Sequence, residues 1–97
     1  MLRHVVLLRF APETSDEALD EIISALRDLP GLIPEIRGYD VGRDLGLAEG
    51  NAGIGVCADF DDAEAYAVYR DHPAHRAVIE QLILPILDDR AAVQFQL

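Results

Sequence analysis

The chain is 97 residues long, enough for one domain with one core, and an apolar share of 51% beside 27% charged residues excludes disorder. A net charge of −10, with eight arginines scattered along the chain, makes nucleic-acid backbones and acidic membrane surfaces poor partners, and the lack of lysine excludes Schiff-base chemistry on a side-chain amine. No apolar run approaches a bilayer span and the lone Cys57 cannot form an internal disulfide, so the expectation is a cytoplasmic protein folded as a single domain over residues 1–97.

Residues 2–10 are rich in valine and leucine and stop at Ala11-Pro12, which predicts a first strand. Its even face carries His4, Val6, Leu8 and Phe10, its odd face Val5 and Leu7, and both are apolar enough to need cover. Thr14 and Glu17 match a capping box, with Leu19, Ile22, Ile23 and Leu26 following at helical spacing. That helix should end before Pro30-Gly31. A weaker strand over 36–43, interrupted by Gly38, leads into a loop at 44–51 that holds Gly46, Gly50 and Asn51. A third strand is predicted over 52–60.

Gly50, Gly53 and Gly55 do not make a phosphate loop, because a strand follows them and no Gly-Lys-Ser/Thr appears. Asp61 and Glu64 match a second capping box, and the helix they open presents Tyr66 and Tyr69 on one face. Pro73 breaks the helix and suits the first turn of another, whose apolar positions include Val78, Ile79, Leu82, Ile83 and Ile86 and which Pro85 shortens or kinks. Asp88-Asp89 reads as a turn, and residues 91–97 as a last strand.

The order β-α-β-β-α-β predicts an α+β, ferredoxin-like fold, a four-stranded antiparallel sheet with helices on one face. The other face should carry Val5, Leu7, Gly53, Gly55, Cys57, Gln94 and Gln96, too apolar to remain wet, so a second copy is expected to cover it across a two-fold axis.

Tyr69-Arg70-Asp71-His72-Pro73-Ala74-His75 gathers proton-handling groups more tightly than any other stretch. His75 falls in a first helical turn, where the local potential modestly disfavours imidazolium, and burial would have to do more to give the neutral ring that a general base requires. The plainer reading is a helix-start device whose imidazoles cap or pack. Zinc on His4, His72 and His75 is not expected, since His72 and His75 flank Pro73 and their convergence is doubtful. Cys57 reads as a small buried hydrophobe.

Taken together, His4 in the His-Val-Val-Leu-Leu-Arg-Phe strand, Leu29-Pro30-Gly31-Leu32-Ile33-Pro34, Phe60 with Asp61 and Glu64, and Tyr69 through His75 resemble the stress-responsive A/B barrel (Dabb) family of the dimeric α+β barrel superfamily. The resemblance covers nearly the whole chain. It implies a homodimer whose two sheets pair into a barrel, often with no assigned activity. It also implies, from a plant member that closes a polyketide thioester by aldol condensation without metal or organic cofactor, that His75 is the base, Tyr69 its partner and His4 a pocket residue. An apolar carbonyl ligand would then lie between sheet and helices against Val6, Leu8 and Ile54, with His72 as a further contact. Three functions stay open at this point: a small-molecule binder, a cofactor-free acid–base enzyme, and a structural or stress-protective oligomer.

Overall fold

A computed structural model describes residues 1–97. Strands β1 (Leu2–Phe10), β2 (Gly38–Arg43), β3 (Ile54–Phe60) and β4 (Leu87–Gln96) form one antiparallel sheet in the order β2-β3-β1-β4. Helices α1 (Asp16–Arg27), α2 (Ala63–Asp71) and α3 (Pro73–Val78) supply the α-layer. This is the ferredoxin-like α+β arrangement that the element order predicts. No helix is long and apolar enough to cross a membrane.

Both helix caps fall one residue later than the sequence spacing suggests. Ser15, not Thr14, caps α1 by accepting from the Ala18 N–H at 3.2 Å, and Asp62, not Asp61, caps α2 by accepting from the Ala65 N–H at 2.9 Å. In each case the neighbouring candidate is spent elsewhere or stranded: Asp61 is held by the Arg37 guanidinium, and Thr14 Oγ1 is buried without a partner. Only the residue in extended conformation just before the first turn can aim its oxygen at the free N–H groups.

Pro85 leaves its mark upstream. After α3 the chain widens into a π-type turn over Ile79–Ile83 and tightens into a 3-10 turn over Leu84–Ile86, because proline offers no N–H and crowds the carbonyl four residues back. β4 then begins at Leu87, so Asp88 and Asp89 lie in a strand rather than in a turn, beside a bulge opposite Arg9 and Phe10.

The strand register sorts the side chains. Leu2, His4, Val6 and Leu8 face the helices and are buried together with Ile54, Val56, Ala58 and Phe60 of β3 and Ile22, Ile23 and Leu26 of α1. The opposite face holds Val5 beside Val93 and Cys57, Arg3 beside Phe95, and Leu7 beside Ala91 and Gly55. Gln94 and Gln96 are therefore misplaced in the sequence reading: they pair with His4 and Leu2 and share the helix-side face. The open face is accordingly more apolar than expected, with Leu7 48%, Val93 54% and Phe95 45% exposed. Gly55 lies between Gly42 and Leu7 in the register, and with no side chain on either glycine this face sinks into an open concavity of about 1050 Å³.

Candidate acid–base site at the helix junction

One row across the sheet, Tyr39–Ala58–His4–Gln94, forms the floor of the site. Ala58 in its middle has only a methyl group, and the rings of α2 occupy the space above. Tyr69 lies with its ring centroid 6.0 Å from Tyr39, 5.1 Å from Phe60 and 6.2 Å from His4, while Tyr66 is 4.9 Å from His4. The helical spacing of three puts both tyrosines over the same strip of sheet.

His72 ends α2 and starts α3 at once. Its backbone is extended, as a residue before proline prefers, and its Nδ1 accepts from the Ala74 N–H at 3.0 Å. This turn carries His75 back over Tyr69, ring centroids 4.1 Å apart. His75 Nδ1 lies 3.1 Å from the Arg70 carbonyl, which can only accept, so this nitrogen carries the proton and Nε2 keeps the lone pair. On His4 the tautomer is set the other way: the Gln94 amide donates to Nδ1 at 2.7 Å, leaving the ring proton on Nε2. Thr14 Oγ1 is the one buried side-chain N or O atom without a partner, so the unbonded Nε2 atoms of His4 and His75 both retain contact with solvent.

Electrostatics keep both rings neutral. Burial, helped by the charges of Arg90 and His75, pushes the His4 imidazole down to about 4. His75 is lowered as well, mainly by burial, with Arg76, His72 and Arg90 adding to it and the Arg70 carbonyl opposing. The Tyr39 and Tyr69 hydroxyls are 2.8 Å apart. Burial raises Tyr39 to about 12 and raises Tyr69 too, Tyr39 adding to the effect, so both phenols remain proton donors at neutral pH. A neutral imidazole with a free lone pair beside a protonated phenol is the pairing that removes a proton from carbon and stabilises the oxygen that gains charge. No group of three His, Cys, Asp or Glu side chains is placed to hold a metal ion.

His4, Tyr69 and His75 thus form one cluster, with His72 beside it occupied in the cap. Val6, Leu8 and Ile54 are buried among the core side chains on the helix side of the sheet. Tyr39, Tyr66 and Gln94 belong to the cluster although sequence reasoning gave them no role. Cross-strand register was the missing signal, since Tyr39 lies 30 positions from Tyr69 and Gln94 lies 90 from His4.

The family model of the stress responsive A/B barrel domain (Dabb) matches residues 2–97. The chain belongs to the Dabb family. Within it, the stress-response A/B barrel domain-containing protein HS1 of Arabidopsis thaliana is 30% identical over 76 residues, covering 76% of this chain and 70% of that protein. A dimeric ferredoxin-like protein from Thermobifida fusca superposes with a TM-score of 0.91 at 44% identity, covering 99% of this chain and 90% of the other. The hydroxynitrile lyase of Passiflora edulis has the same fold, with a TM-score of 0.83 at 18% identity over 97% of this chain and 90% of its own. The Dabb fold is therefore found in proteins described as dimers and in one described as an enzyme.

Proposed function

We propose that this Dabb protein is a homodimer that holds a small apolar carbonyl compound against the helix junction and removes a proton from it without a cofactor, His75 acting as the base. The observation that carries this reading is the hydrogen bond from His75 Nδ1 to the Arg70 carbonyl, which fixes the ring against Tyr69 with Nε2 unbonded. His75 Nε2 takes the proton alpha to the carbonyl, the C–H pair moves to form the enolate, and the Tyr69 hydroxyl donates to the enolate oxygen. Return of the proton from His75 to carbon regenerates the base. The enolate can instead attack a second carbonyl, which gives the aldol chemistry that the family resemblance implies. The hydroxynitrile lyase of this fold is the precedent for chemistry on the scaffold.

Pairing through the open sheet face is supported by its exposed Val93, Phe95 and Leu7 and by the dimeric relatives. The lone, half-buried Cys57 fits a reducing, cytoplasmic compartment.

The test is solvent exchange. In D2O the protein should catalyse deuterium incorporation next to the carbonyl of 2-octanone, followed by NMR. His75→Gln should slow exchange about a hundredfold or more, the usual span for a positioned base, with the melting temperature nearly unchanged. Exchange at the wild-type rate in His75→Gln overturns the assignment. Unfolding of that variant would make the histidine architectural and overturn it equally.

A further inference from the structure

Seven of the eight arginines are engaged. Arg3, Arg37, Arg43, Arg70 and Arg76 hold carboxylates, Arg9 donates to the Gly50 and Asn51 carbonyls, and Arg27 donates to the Val41 carbonyl. The Arg90 guanidinium alone has no hydrogen bond and no ion pair. This is unexpected in a chain of net charge −10 with Asp88 and Asp89 directly before it. The Asp89 carboxylate turns instead to the Arg90 backbone N–H at 2.9 Å.

The register places this free cation. Arg90 lies opposite Leu8 and Gln94 opposite His4, so both stand on the helix-side face of β4 with Ala92 between them. All three are exposed, since the helices cover β1 and β3 but leave this strip of β4 bare. The strip runs from the His4–Gln94 pair past the Ala92 methyl to Arg90. The spacing is two cross-strand rows, roughly 13 Å of strand. The charge of Arg90 is felt by both imidazoles, which agrees with that placement.

We propose that Arg90 is a carboxylate-binding subsite, so that the molecule His75 acts upon carries a carbonyl at one end and a carboxylate several methylenes away. This rests on the acid–base reading above and narrows its substrate class to oxo acids. A planar guanidinium with no internal partner can offer two parallel N–H donors to a carboxylate, and it does so without breaking an existing ion pair. The exposed strip admits a linear chain, and the Ala92 methyl gives it an apolar floor.

The probes are 7-oxooctanoate and its methyl ester, which differ only in the charge at the far end. Two readouts are taken on the intact protein: deuterium exchange beside the carbonyl, and the NMR shift of the Arg90 Nε–H resonance on titration. The acid should exchange with a KM about tenfold below that of the ester, the effect of one charge-assisted pair. Arg90→Gln should raise the KM of the acid to that of the ester while kcat stays within about twofold, and Arg90→Lys should recover part of the difference. The Arg90 resonance should move with the acid and not with the ester.

An acid-to-ester KM ratio that Arg90→Gln leaves unchanged overturns the subsite, as does an Arg90→Gln variant whose main change is a shift from dimer to monomer on a sizing column. That second result would assign the guanidinium to a carboxylate of the partner copy. Loss of exchange with both probes, while the Arg90 resonance still titrates with the acid alone, would retain the subsite and remove the acid–base reading instead.

Discussion

The two faces of one sheet teach different things about the same strands. On β1, Leu2, His4, Val6 and Leu8 disappear beneath the helices while Leu7, one residue away, is 48% exposed. The covered face spends its apolar area on the protomer itself and holds its polar exception, His4, by a single hydrogen bond. The open face has comparable apolar character in Val5, Leu7, Val93 and Phe95 but nothing of its own to bury it. Burial within a protomer stabilises the fold, whereas the same side chains left uncovered stabilise an assembly.

The sharpest way to break this contrast is on the covered side. Phe60→Ala, at the fully buried end of β3, should cost about 3–5 kcal/mol, measured by chemical denaturation, because the cavity left beside Tyr66 and Tyr69 cannot close. A loss under about 1 kcal/mol would mean the site is held from the helices alone.

The next effect is a dependence on pH. His4 titrates near 4 in the folded chain and near 6.5 when unfolded, so between those values the unfolded state binds more protons. Its contribution is whole above about pH 6.5 and is lost as pH falls towards 4, by up to roughly 3 kcal/mol. His4→Gln should flatten that part of the stability curve. An unchanged slope between pH 7 and pH 4.5 would show that the ring is not held neutral.

On the open face the expected change in protomer stability is the smallest, within about 1 kcal/mol, as is usual for exposed positions. Val93→Asp should preserve the circular dichroism spectrum while shifting the protein from dimer to monomer in sedimentation, since it sets a charge beside Val5. A dimer that survives this substitution would place the contact elsewhere.

Much of the protein was legible in order along the chain. The alternation of β1, the helical spacing of Ile22, Ile23 and Leu26, and Pro73 between two helices are local signals, and each produced its element. The caps at Ser15 and Asp62 were read one residue early because the template fixes spacing but not which oxygen reaches the free N–H groups. Tyr69 and His75 are six residues apart, so a turn could suggest their meeting.

Tertiary structure decided the rest. The amino-acid order alone determined the elements, their sequence and the amphipathic pattern that makes a layered α+β domain. Which side of β4 the glutamines occupy, how Tyr39 comes to bond Tyr69, and why Arg90 is left without a partner depended on strand register. A shift of one residue would turn every side chain of a strand to the opposite face, and that register is set by packing between segments far apart in the chain.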